Sequence, residues 1–153
     1  MVHLDLAQLS RADALAELGE NGFWTDVYGV TEAMHDHHTG VKGSFRRVVL
    51  GLRRARAERV PFALVFHLTR SNYRHAPEMV RVAHTLGAQA LGLAAATAEC
   101  RVPPAPAELV APFTARAVET ARALGLRVAE AASAESALRA LEPETPVVRP
   151  ERR

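Results

Sequence analysis

"PFALVFHL" runs from Pro61 to Leu68. Its apolar residues are continuous rather than alternating, the pattern of a strand covered on both faces, as in a parallel sheet. Around it the chain switches repeatedly between strand and helix periodicity. Upstream, "FWTDVYG" (Phe23–Gly29) reads as a short strand. A helix over about residues 12–18 precedes it, and Ser10 with Asp13 could open that helix as a capping box. Between the two strands, "MHDHHTGVKGSF" (Met34–Phe45) reads as a loop leading into a helix, "SFRRVVLGLRRARAE", in which Phe45, Val48, Val49, Leu52 and Ala55 recur at helical spacing.

Downstream the rhythm continues. A helix with Pro77 in its first turn and Gly87 at its end carries a buried stripe of Met79, Val80, Ala83 and Leu86. "AQALGLAAA" is the next strand, and "CRVPPAPAEL" a proline-rich loop. A long helix follows, with Val110, Phe113, Ala117, Ala121 and Leu124 on one side and Gly125 as its stop. "LRVAEAA" is a last strand and "AESALRALE" a last short helix. The segment "VHLDLA" alternates in a way that suits one more edge strand. Successive βα units imply right-handed crossovers and an α/β fold with a parallel sheet of about four or five strands flanked by helices. That is too few strands to close an eight-stranded barrel, so a partial barrel is expected. Residues 1–142 read as one domain and 143–153, "PETPVVRPERR", as a flexible tail.

Composition narrows the function classes. Hydrophobic residues make up 48% and charged residues 24%, which indicates a globular chain rather than a disordered one. No apolar run is long enough to span a bilayer, and the N-terminus lacks the pattern of a signal peptide. The expected location is therefore cytoplasmic, with no membrane partner. One cysteine, Cys100, cannot build a disulfide framework or a multi-cysteine metal site within the chain. The net charge of +2 is too small to attract nucleic acid by the overall field. The arginine-rich helix reads as a solvated amphipathic helix rather than an RNA-binding face, because aromatic stacking partners are missing. Nucleic acid is not an expected partner.

In parallel sheets ligands bind beyond the carboxyl ends of the strands, so the residues just past each strand are the candidates for chemistry. Here these are Tyr28, Thr31 and Glu32, then His67, Thr69, Arg70 and Asn72, then Thr97, Glu99 and Cys100, and finally Glu130. His35, His37 and His38 invite a metal, but adjacent histidines seldom aim at one ion. They read better as exposed imidazoles on a polar loop, and no metal site is expected. "TGVKGS" lacks the spacing of a phosphate loop, and Gly43–Ser44 reads as a helix entrance.

The ordered set of Tyr28–Gly29, His35–Asp36, Thr39–Gly40, Gly43–Ser44–Phe45, Asn72 and Leu86–Gly87 resembles the later part of the radical S-adenosylmethionine (radical SAM) core domain, nearest to its peptide- and cofactor-maturing branch. The match covers roughly residues 23–95. It implies part of a (β/α)6 partial TIM barrel, with S-adenosylmethionine and a [4Fe–4S] cluster as the family's cofactors. In the family a CxxxCxxC loop holds the cluster, and a "GGEP"-like loop holds the amino group of S-adenosylmethionine. Neither motif is in this sequence, which begins near the family's third strand.

The resemblance therefore implies a truncated or cluster-less radical SAM-like protein. It would be a pseudoenzyme by itself, with no cofactor expected on this chain alone and radical chemistry dependent on a cluster-bearing partner chain. Thr31, His67, Thr69 and Asn72 are its implied cofactor-contacting residues; catalytic residues are not assigned. Two alternatives stand beside it: an accessory module binding a small ligand or peptide, and an unrelated α/β enzyme using Glu32, His67 or Glu99 as acid or base. An open half barrel also leaves sheet edges and an inner face to cover. A partner, a dimer interface or a capping helix has to cover them, and a homodimer or a complementary chain is expected.

Overall fold

The computed structural model describes residues 1–142; the tail assigned to 143–153 lies outside the described residues. Five parallel strands form one sheet in sequence order: β1 (Val2–His3), β2 (Phe23–Val27), β3 (Phe62–Leu68), β4 (Ala90–Ala95) and β5 (Arg127–Ala131). Simple sequential order, with each strand beside the next, is the arrangement of a barrel segment rather than of a doubly wound sheet.

The register separates two faces. One carries Phe23, Val27, Phe62, Leu64, Phe66, Leu91 and Leu93, and packs against helices α4 (Ser44–Ala57), α5 (Ala76–Leu86) and α6 (Ala107–Leu124) through Val48, Leu52, Met79, Val80, Ala117 and Ala121. This is the main core. The other face, the inner one, carries Trp24, Ala63, Ala90 and Ala129. Apart from Trp24 these residues are small, and α7 (Ala134–Leu141) lies against them through Leu138 and Leu141. Gly92 lets α7 approach: a Cβ there would sit 3.0 Å from Ala137 Cβ. The chain's own last helix thus covers the amino-terminal half of the inner face. β3 is buried on both faces, as its continuous apolar pattern requires.

Two sequence expectations need correction. Residues Glu32–Thr39 are not loop but helix α3, with the Thr31 side chain accepting from the Met34 amide and Gly40 left-handed at the end. The expected capping box also lies one turn earlier. Asp5 and Gln8 form it on α1 (Leu6–Leu9), Ser10 ends that helix, and α2 (Ala12–Ala16) starts at Arg11 without a side-chain cap. Pro112 lies inside α6.

Candidate ligand-binding site

Of the resembling motif residues, Tyr28, Gly29, His35 and Asn72 build the ends of β2 and β3. Tyr28 leaves β2 with its backbone held on both sides. Its amide donates to His35 Nδ1 at 3.2 Å, and its carbonyl accepts from Asn72 Nδ2 at 2.9 Å. Asn72 is fully buried, also donates to the His67 carbonyl at 2.7 Å, and accepts from the Thr69 amide at 2.7 Å. One side chain therefore ties the exits of two adjacent strands together, and all of its main polar capacity is used. Gly29 is needed because α3 passes close by: a Cβ there would meet the His35 amide nitrogen at 2.5 Å.

The histidine run divides its labour. His35 and His38 are buried, which corrects the expectation of exposed imidazoles; His37 is exposed. Burial lowers the pKa of His35 to about 4, so it is neutral and can accept from Tyr28. Burial likewise lowers His38, which bonds the Met34 carbonyl and Thr69 Oγ1, each at 2.7 Å. Asp36 caps α4 by accepting from the Gly43 amide at 2.7 Å, Ser44 Oγ at 2.8 Å and the Phe45 amide at 2.9 Å. Burial works against its charge, but these three donors hold its carboxyl below the ordinary carboxylate range.

Above this frame a cleft of about 850 Å³ opens at the carboxyl ends of the strands. Its walls are Asp26 from β2 and Tyr28 just past it, His67 from β3, Thr97, Glu99, Cys100 and Arg101 from the loop after β4, and the start of α7. That loop folds back onto the end of β3, where the Arg70 amide donates to the Pro103 carbonyl at 3.0 Å and Thr69 bridges Pro104. His3 reaches the same cleft from β1.

The polar centre is a carboxylate between two imidazoles. Asp26 Oδ1 lies 2.5 Å from His67 Nε2, and Oδ2 lies 2.7 Å from His3 Nε2. Burial pushes the Asp26 carboxyl up, but His67 and then His3 outweigh it and hold it below its ordinary value, so Asp26 is ionised. Fixing His67 through Nε2 leaves its Nδ1 buried, with no hydrogen-bond partner among the described residues. Tyr28 stacks on His67, with ring centroids 4.9 Å apart and planes 17° from parallel. Burial, reinforced by the Asp26 charge, pushes the Tyr28 phenol up, so it is a neutral hydrogen-bond donor.

Of the four residues implied by the resemblance, only His67 lines the cleft. Thr69 and Asn72 lie buried just beneath, bonded to neighbours, and Thr31 caps α3. Tyr28, Thr97, Glu99 and Cys100 are in the cleft as their place past the strand ends suggests, while Glu130 lies at a separate cavity beside α6. Asp26 and His3 were missed. Both sit inside strands, and the available signal was inner-face alternation: Trp24 and Asp26 interrupt the apolar positions of β2.

A [4Fe–4S] cluster does not match the donor set. Cys100 is the single thiol of the sequence, half-buried with Sγ 3.8 Å from Thr97 Oγ1, and three thiolates are required. Among the described residues, no three His, Cys, Asp or Glu side chains are arranged to hold a metal ion. No helix among them is long and apolar enough to cross a membrane.

No family model matches the chain, and no curated protein does. Among solved structures, the fold is similar to the crystal structure of a domain of pyruvate-formate lyase-activating enzyme from Bacteroides vulgatus ATCC 8482. The two share 13% sequence identity with a TM-score of 0.62, over 84% of this chain and 80% of that one. At that identity the likeness is one of fold, and it supports the α/β architecture of a parallel sheet flanked by helices.

Proposed function

We propose that this chain is a cluster-independent ligand-binding module on a radical SAM-like half barrel. It takes a nucleoside-sized polar ligand, S-adenosylmethionine or a close relative, in the cleft at the carboxyl ends of its strands. The observation that carries this reading is the cleft itself: about 850 Å³, within the range of small-molecule sites, with an ionised carboxylate, oriented imidazoles and an aromatic ring on one rim. In this reading His67 and Asp26 meet the ligand's polar edge, and Thr97 and Glu99 serve its hydroxyl groups. Thr69 and Asn72 hold the strand ends from below, and Thr31 fixes the start of α3 behind Tyr28. S-adenosylmethionine, when bound, supplies a sulfonium and an adenosyl group. Its reductive cleavage needs three cysteine thiolates, which a cluster-bearing partner chain would have to provide.

Calorimetric titration of the metal-free chain with S-adenosylmethionine and S-adenosylhomocysteine tests the reading. Saturable binding of either, weakened about tenfold or more in His67→Ala, is the expected result. No heat at millimolar ligand, with the chain folded, would remove it.

A second reading is favoured by one distance, the 2.5 Å between Asp26 Oδ1 and His67 Nε2. A carboxylate that fixes an imidazole tautomer is the arrangement of an acid–base pair, and the cleft would then hold a substrate rather than a retained ligand. Turnover lost in both Asp26→Asn and His67→Ala, without loss of binding in the first, would separate this reading from the module.

A further inference from the structure

The charge of this chain is concentrated on one helix. Between Ser44 and Val60 there are six arginines and one acidic residue, Glu58, so this stretch carries +5 and the remainder −3. The stretch is α4 and the three residues after it, on the outer side of the sheet and away from the cleft. Its buried stripe is Val48, Gly51, Leu52 and Ala55. Directly opposite stands Leu50, 55% exposed, one of the few large apolar side chains left open to water. Arg46 and Arg47 lie four and three residues before it, Arg53 and Arg54 three and four residues after it, and all four are exposed. At 3.6 residues per turn these positions ring Leu50 on a single face. Arg46 has one carboxylate, Glu32, at 3.7 Å. Arg47, Arg53 and Arg54 have none within 4.0 Å among the described residues.

We infer that this face of α4 is a docking surface for an acidic amphipathic helix of a protein partner. An apolar knob inside a ring of cations is the anatomy of a small helix–helix contact: the knob enters a gap between apolar side chains of the partner, and the ring pairs with its flanking carboxylates. A nucleic acid has no use for the central leucine, and the face offers no aromatic ring for base stacking. A solvated helix with no partner would carry mixed charges, whereas this face carries one sign.

The test uses the full chain and a fluorescent synthetic helix bearing a leucine stripe flanked by glutamates, read by anisotropy. The twin probe has lysines in place of the glutamates. Binding of the glutamate helix is expected, weakening as salt rises. Leu50→Ala should weaken it about tenfold. The double variant Arg47→Glu/Arg54→Glu should lose it and gain binding of the lysine helix. All these positions are exposed, and far-UV circular dichroism checks the fold. The inference is overturned if the glutamate helix fails to bind at low salt, or if Leu50→Ala binds as tightly as the parent. It is equally overturned if duplex DNA or phosphatidylserine vesicles bind more tightly than the helix.

Discussion

Asp26 on β2 and His67 on β3 meet across the inner face of the sheet, Oδ1 to Nε2, at 2.5 Å. They are diagonal neighbours, since Asp26 pairs with Val65 in the register and His67 lies two residues beyond. The contact requires an ionised carboxylate, and His3 on the other oxygen supports the same state. Asp26→Asn is therefore expected to cost about 1–3 kcal/mol at pH 7, the range for a partly buried charge-assisted hydrogen bond. The sign of the pH effect follows from the lowered carboxyl. Asp26 contributes stability above its ordinary value near 3.8, and that contribution is lost as pH falls through the lower folded value. Urea melts at pH 7 and pH 3 should show the gap between parent and variant closing at low pH.

His35 predicts a second, separate pH dependence. Its folded pKa is lowered to about 4 from 6.5, so the unfolded chain binds more protons between these values. Stability from this group is complete above 6.5 and drains away as pH falls toward 4. His35→Asn keeps an acceptor near the Tyr28 amide but does not titrate. The variant should be less stable at pH 7, yet lose less between pH 6.5 and 4.5 than the parent does. Equal slopes would mean that His35 is not buried neutral.

Asn72→Ala removes three hydrogen bonds in a fully buried place and leaves the Tyr28 and His67 carbonyls and the Thr69 amide without their side-chain partner. The expected cost is about 3 kcal/mol, with the loss concentrated at the exits of β2 and β3. Hydrogen exchange should show faster exchange around residues 28 and 69 than in α6.

Gly92→Val tests the seat of α7. A branched side chain there would run into Ala137, 3.0 Å from the first added carbon, on the inner face. The outer core lies on the other side of the sheet and is not touched. A cost of about 1–3 kcal/mol is expected, with α7 amides losing protection before those of α4 and α5. Uniform loss across the chain would show that α7 and the sheet melt as one unit.

Much of the fold was legible because its strands are apolar and its helices carry clean stripes. Pro61–Leu68 announced a doubly covered strand, and Gly87 and Gly125 marked helix ends that the structure places at the same residues. Helix α3 was not legible: its buried positions are His35 and His38, which hydrophobic periodicity cannot see. The site was legible in part. Residues beyond strand ends could be named from topology, and Tyr28, His67, Thr97, Glu99 and Cys100 do share a cleft. Asp26 and His3 could not be named that way, because their role depends on a diagonal meeting across three strands. Asn72 carried a family-like signal, and its place in the fold is under the rim, tying two strand ends together.

The most direct test of the central claim is an amide and imidazole NMR titration of the metal-free chain with S-adenosylhomocysteine. The account predicts shifts confined to the cleft, at His67, Asp26, Thr97 and Glu99, saturating with ligand and absent in His67→Ala. A spectrum unchanged at millimolar ligand, or shifts centred away from the carboxyl ends of β2, β3 and β4, would contradict it.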